Sequence, residues 1–408
     1  MSAALVWMIV LASLAGAACA LAGCYLVLRR MSLLGDAISH AVLPGLVVAF
    51  LLTRQLGGWP MLLGALAAGL LVPLLTEAVH RAAGVPEDAG LGVVFTSLFA
   101  AGVLLLNLAP GADLDPGCVL YGQLVLAAGD KDPWLGVEVP RSAPTLALAL
   151  LLVAGFLALA WKEVKLTAFD AALAAALGLP WFIHHAMLAL VATVTVASFE
   201  AVGSILVVAM LVVPPVTAQL LTERFGRMHL LAALVAVLSA VSGVLLAARW
   251  NTSVPGMMAV MAGVQLMLAW LLAPRSGLAA RWWRAWALSV RIAAEDILAR
   301  LYRAEQGTPA DSLPRSWLAW RKVRRAGEID GQGRLTEKGR ARAASLVRAH
   351  RLWEAYLASE AALPLDHLHP PAEEMEHFLD EAMQARLAEA LDAPERDPHG
   401  RPIPGGDR

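Results

Sequence analysis

The sequence predicts an all-α polytopic membrane protein of eight or nine transmembrane helices, followed by a mainly α-helical cytoplasmic domain. Three observations carry this. The chain is 59% hydrophobic over 408 residues, whereas soluble globular proteins lie nearer half. The excess is concentrated: residues 3–273 are long runs of Leu, Ala, Val and Gly, and residues 275–408 are rich in Arg, Glu and Asp. Each apolar run is close to the ~20 residues that a helix needs to cross the hydrocarbon core, and the alternation of a membrane β-strand is absent. The formal net charge of −1 averages these two unlike halves and identifies no class of partner.

The first run, residues 3–28, is followed rather than preceded by its charges, Arg29 and Arg30. A cleavable signal peptide has the opposite order and a shorter core, so this run reads as the first span. Further spans are expected at 37–53, 61–79, 90–108, 143–161, 185–198, 201–221, 230–248 and 254–273. The two around Phe199-Glu200 are tight, which leaves the count at eight or nine. With the tail after Arg275 placed inside, counting backward puts Arg29, Arg30, Arg81, Lys162, Lys165, Arg224, Arg227, Arg275, Arg281 and Arg284 on the cytoplasmic side. Only Arg54, Lys131, Arg141 and Arg249 fall outside. That bias fits nine spans with an outside N-terminus and an outward loop over 109–142. Cys19 and Cys24 in the first run and Cys118 in that loop show no metal-site or disulfide spacing.

Ionisable residues interrupt the apolar pattern at few places. Asp36 and His40 stand four apart at the start of the second span, so a helix presents both on one face. Such groups in a membrane are costly and tend to line ion paths. An O/N pair suits manganese, iron or zinc. The spacing alone equally allows a helix cap beside an interfacial imidazole. Residues 162–180 form a short segment between two spans, with Phe169, Leu173, Ala176 and Leu177 available as one apolar face and Gly178-Leu179-Pro180 as a stop. Such a helix either docks in a soluble partner or lies on lipid headgroups. Pro214-Pro215 within an apolar span predicts a kink or unwinding, which serves as a hinge or as a packing bend. Glu200 is a weaker candidate for the path, and His184-His185 reads as an interfacial pair.

The run RRMSLLGDAISHAVLPG (29–45) resembles the early signature of the metal-importing ABC permeases. LDPGCVLYGQLVLA (114–127), KEVKLTAFDAALAAALGLP (162–180) and AVGSILVVAMLVVPPVTAQLLT (201–222) resemble later motifs of that family, in order. The resemblance spans 1–275. It implies a permease for a divalent metal, manganese most of all with iron or zinc as alternatives, and metal contact at Asp36 and His40. It also implies an ATPase-coupling segment around Phe169, Asp170, Leu173, Leu177 and Gly178. Its implied partners are a cytosolic ATPase, an extracytoplasmic metal-binding protein and a second permease, identical or related. The chain has no GxxxxGK[ST] phosphate loop, so it is expected to be a transport subunit and not itself an enzyme. The absence of HExxH argues against an intramembrane metallohydrolase.

In the tail, Trp282, Trp283 and Trp286 with Arg281 and Arg284 mark an exit through the membrane interface. EDILARLYRAEQG (295–307), GRLTEKGRARAASLVRAHRLWEAYL (333–357) and residues 369–404 resemble the DtxR/MntR metalloregulators. The implied order is a degenerate winged-helix segment over 276–340 and a helical metal-binding and dimerisation part over 341–408. Glu373, Glu376 and His377 lie at i, i+3 and i+4. The resemblance adds His350 and Asp296 as ligands, with the divalent ion acting as regulator as well as cargo. Ala299 stands where the family pattern has another carboxylate. The segment between Gly307 and Leu335 is too short for a full helix-turn-helix, leaving 317–327 as the remnant of a recognition helix. That truncation argues against sequence-specific DNA binding, and so against the rival reading of a membrane-tethered transcription regulator.

Overall fold

The computed structural model describes residues 3–54, 59–107, 124–134, 137–180, 182–274, 277–307, 314–361 and 363–405. The chain divides into two compact units, Met1–Ala280 and Arg281–Arg408.

The first unit contains helices α1 (Ala3–Leu28), α2 (Leu34–Ala41), α3 (Leu43–Thr53), α4 (Trp59–Ala83), α5 (Glu87–Asn107), the short α6 (Leu124–Gly129) and the hairpin β1 (Lys131–Trp134) and β2 (Val137–Pro140). It continues with α7 (Ser142–Leu159), α8 (Trp161–Phe169), α9 (Ala171–Ala176), α10 (Phe182–Val202), α11 (Ser204–Leu221), α12 (Phe225–Trp250) and α13 (Val254–Leu272). Among the described residues nine helical stretches are long and apolar enough to cross a membrane. This is the higher of the two counts that the sequence allowed.

Helix α1 is the centre of the unit and packs against α7, α10, α11 and α12. It is apolar on all sides, and its buried positions are largely small: Ala12, Ala15, Gly16, Ala18, Cys19, Ala20, Ala22 and Gly23. Small residues let helices in lipid approach until their backbones touch, where no hydrophobic drive separates helix from lipid. A Cβ on Gly23 would stand 1.9 Å from the carbonyl oxygen of Leu211. That carbonyl lacks its helical donor because Pro215, four residues later, has no N–H. Helices α3 and α4 meet in the same way, with Gly45 against the Gly64 carbonyl. The outer surface carries Leu52, Leu159, Leu230 and Leu272 well exposed, as a lipid-facing surface requires.

Several elements differ in detail from the expectation. The second span starts at Leu34 and is divided at Val42 into α2 and α3. Pro44 in the first turn of α3 has no N–H to offer the His40 carbonyl. Helix α10 runs past Phe199, and the chain breaks at Gly203 (φ 79°, ψ 162°), a conformation that suits glycine. The unwinding expected at Pro214-Pro215 is absent: α11 is helical through both, which are buried. The segment 162–180 is two helices rather than one. They are separated at Asp170, whose extended backbone (φ −147°, ψ 96°) and side chain, accepting from the Leu173 amide, cap α9. Between α6 and α7, β1 and β2 pair antiparallel from Lys131↔Pro140 to Trp134↔Val137. Cys118 and most of the 114–127 motif lie outside the described residues.

The second unit comprises α14 (Leu278–Glu305, of which residues from 281 belong to it), α15 (Trp317–Arg325), α16 (Glu337–Ser359), a 3-10 turn (Leu365–His367), α17 (His369–Met375) and α18 (Glu381–Ala390). Ala294, Ile297, Leu298, Ala319, Val323, Ile329, Leu335 and Ala343 form one core. Ser316 caps α15 through the Ala319 amide and Thr336 caps α16 through the Gly339 amide. An antiparallel bridge joins Ile329 to Leu335, and a second joins Arg396 to Pro402. The first turns of α14 carry Trp282, Trp283 and Trp286 exposed.

Candidate metal sites

In the first unit, Asp36 and His40 share one face of α2, with His40 Nε2 3.6 Å from Asp36 Oδ1. The other positions of that helix, Leu34, Gly35, Ala37, Ile38, Ser39 and Ala41, are buried. The acid is 49% and the imidazole 36% exposed. The His40 ring rests against Phe95 and Phe99 of α5, at 6.2 and 5.9 Å between centroids. The pair is therefore the open, charged side of a helix that is otherwise packed. Two side chains are fewer ligands than any of these cations takes, so the remaining ligands must come from elsewhere.

A second polar cluster joins α1, α4 and α10. His185 Nε2 lies 2.5 Å from Glu77 Oε2, Arg81 pairs with the same carboxylate, and the Tyr25 hydroxyl lies 2.8 Å from His184 Nδ1. The expected interfacial pair, His184-His185, thus bonds to two different helices. A cavity of about 270 Å³ beside it is lined by Tyr25, Arg29, Glu77, His184 and His185 together with Ala171, Ala174 and Ala175 of α9. In the coupling segment, Phe169, Leu173 and Leu177 are exposed, and Gly178 ends it with φ 72°. The side chain of Glu200 lies outside the described residues.

Among the described residues of the second unit the structure forms two groups of potential ligands: Asp296 with Glu376 and His377, and His350 with Glu354 and His369. The sequence had gathered His350, Glu373, Glu376, His377 and Asp296 into one set. Here Glu373 lines a cleft of about 470 Å³ with Asp296 and His377 but faces Arg300 at 3.8 Å. Glu376 stands between the two groups: its Oε2 is 2.7 Å from His350 Nδ1. Glu354 and His369 were missed. The i, i+4 spacing of His350 and Glu354 on α16 was the available signal, while His369 reaches Glu354 only by tertiary packing, at 3.0 Å.

The surrounding hydrogen bonds orient these groups. Glu295, 2% exposed, lies 3.0 Å from His377 Nδ1 through its Oε2 and accepts from Arg291 and Arg342 through its Oε1. With Nδ1 so engaged, Nε2 of His377 points at Asp296 Oδ1, 3.2 Å away. A carboxylate behind a histidine is how metal-binding imidazoles are commonly aimed. Burial opposes a charge on Glu295, yet the bonds from His377, Arg291 and Arg342 outweigh it and bring its pKa down to about 2. Burial likewise opposes a charge on His377, and Asp296 and Glu295 outweigh it, raising its pKa to about 9. Glu354 is held far below the usual carboxylate range by His350 and His369 against the cost of burial.

The donors fit a divalent ion. Glu354 is fully buried, and its Oε2 has no hydrogen-bond partner. The approach of His350 Nδ1 to Glu376 lacks hydrogen-bond geometry, which leaves that buried nitrogen without a hydrogen bond as well. Buried polar atoms of native proteins are rarely left so, and each of the two faces carboxylate and imidazole groups among which a cation would satisfy it. His399, from the C-terminal segment, comes within 3.9 Å of Glu354 Oε1.

Comparison with known proteins follows the same division. Residues 336–405 match the family described as iron dependent repressor, metal binding and dimerisation domain. Over 274 residues the chain is 44% identical to the manganese transport system membrane protein MntD of Bacillus subtilis, covering 66% of this chain and 92% of the relative. The zinc transport system membrane protein TroD of Treponema pallidum is 37% identical over 275 residues, 67% of this chain and 75% of its own. The chelated iron transport system membrane protein YfeD of Yersinia pestis is 38% identical over 242 residues, 58% of this chain and 75% of its own. The solved structure of PsaBC from Streptococcus pneumoniae in complex with Fab superposes with a TM-score of 0.56 at 26% identity, covering 66% of this chain and 92% of that one. With nine helical stretches long and apolar enough to cross a membrane among the described residues of its first unit, and residues 1–273 matching the family model, the chain is a multi-pass membrane permease that belongs to the ABC 3 transport family.

Proposed function

We propose that the chain is the channel-forming subunit of an ATP-driven importer of divalent metal ions, with manganese as cargo, and that its second unit is a cytosolic metal sensor that restrains transport when the ion is plentiful. One observation carries the first half: a half-exposed acid–imidazole pair, Asp36 and His40, on a helix buried at every other position. Facing lipid, such a pair would be costly. Facing a second permease, identical or sister, it supplies half of an O/N ligand set on the axis between them. An outer metal-binding protein delivers the ion, and a separate cytosolic ATPase docks on the exposed face of Phe169, Leu173 and Leu177 beside Asp170 and Gly178. Pro214 and Pro215 act as the hinge, because two successive residues without an N–H leave the carbonyls of Met210 and Leu211 without their helical donors. Manganese is favoured by the likeness to MntD and by the mixed carboxylate and imidazole donors. Zinc and iron relatives make them the competing ions to test.

The complex reconstituted in vesicles with its ATPase and binding protein should accumulate manganese on addition of ATP. Asp36→Ala with His40→Ala should abolish that accumulation while leaving assembly intact. Undiminished uptake by the double variant would refute the role given to the pair.

A further inference from the structure

We propose that Arg303 is a resident counter-cation of the tail's metal centre, which an incoming divalent ion must displace from Glu376, so that this residue sets the ion concentration at which the tail responds. The inference rests on the reading of the tail as a metal sensor and adds to it a residue that supplies no ligand.

Asp296, Ala299 and Arg303 lie at i, i+3 and i+7 of α14, along one face. Asp296 contributes a ligand atom to the group with Glu376 and His377. Ala299, 1% exposed, contributes none. Arg303 sends Nη2 to within 3.1 Å of Glu376 Oε2, with its own side chain 18% exposed and that of Glu376 only 2%. The same oxygen is the one that approaches His350 Nδ1 at 2.7 Å. Glu376 thus belongs to one ligand group and borders the other, and a guanidinium already holds it. One turn earlier, Arg300 faces the neighbouring carboxylate Glu373.

A guanidinium cannot give up its charge to make room, as a lysine or histidine can. Away from water, charges a few ångströms apart interact far more strongly than at a surface. A divalent ion bound by Asp296, Glu376 and His377 would therefore sit against a permanent positive charge that competes for the same carboxylate. Binding requires Arg303 to swing away, and the cost of breaking a buried ion pair is subtracted from the affinity for metal. A purely structural Arg303 makes the opposite prediction, since its loss would loosen the ligand shell and weaken binding.

The test is calorimetric titration of manganese into the purified full-length chain. Asp36→Ala and His40→Ala are present throughout, so that the first unit adds no heat. Arg303→Met should tighten binding by about tenfold or more, equivalent to ~1.4 kcal/mol, and Arg303→Lys should fall between it and the parent. Unchanged or weakened binding in Arg303→Met, with the parent binding normally, overturns the competition and leaves the sensor reading standing. If neither parent nor variant binds manganese, both readings fall. If Arg303→Met fails to fold, Arg303→Lys decides the matter alone: it must bind more tightly than the parent, and equal or weaker binding overturns the proposal.

Discussion

Glu295 shows how much of a candidate site lies in residues behind its potential ligands. It fixes the His377 ring through Nδ1 and is itself held by Arg291 and Arg342. Removing such a support typically costs about 10–100-fold in metal affinity. Glu295→Gln should therefore weaken manganese binding to the tail by that order, measured by titration, with little change in the fold. The same residue gives the metal-free tail a pH signature. Its folded pKa of about 2 lies below the ordinary carboxylate value of 4.5, so its contribution is present above ordinary carboxylate titration and is lost as pH falls toward 2. His377 has the opposite sign: raised from 6.5 to about 9, it contributes fully below 6.5 and loses that contribution as pH rises through 9. Thermal unfolding of metal-free protein across pH should show stability falling at both ends, with Glu295→Gln flattening the acid limb. Asp36 and His40 were legible in the sequence because an i, i+4 pair on a helix is set by local geometry alone. His369 was not, because its partner Glu354 is fifteen residues away on another helix.

At the scale of elements, helix contacts turn on glycines and prolines more than on the large residues. Gly23 receives the carbonyl of Leu211 that Pro215 leaves without a donor, and so a residue expected to unwind α11 instead helps to seat it on α1. Gly23→Ala would place a methyl group in backbone. Overpacking of this kind costs about 1–3 kcal/mol, and the variant should give a lower yield of folded permease and a lower unfolding temperature in detergent. The coupling segment makes a different prediction. Leu173 and Leu177 are exposed, and Phe169 is exposed too although one edge of its ring meets the buried Phe225, 6.1 Å between centroids. Leu177→Asp should leave insertion and folding unchanged and reduce both ATPase binding and ATP-driven uptake in the assembled complex. The break at Asp170 was not read from the sequence, although Asp170 followed by a run of alanines is a competent helix start. The apolar periodicity across 162–180 masked it.

For the whole molecule, two units with separate cores imply separable activities. A chain ending at Ala280 should still assemble and import manganese in vesicles. It should also lose any inhibition that rising manganese on the tail side imposes on the full-length chain. Equal inhibition of both chains would count against a sensor in the tail. The sequence alone determined the membrane character of the first unit, the spans to within a few residues, the acid–imidazole pair at Asp36 and His40 and the helical tail. Each of these depends on composition, on run length against bilayer thickness or on spacing along one helix, all of which are properties of neighbouring residues. Only the tertiary structure decided that His350 joins Glu354 and His369, that Glu376 stands between two ligand groups under Arg303, and that His184 and His185 bond to different helices. Those arrangements depend on distances between elements far apart in the chain, and such distances are set by how whole helices pack.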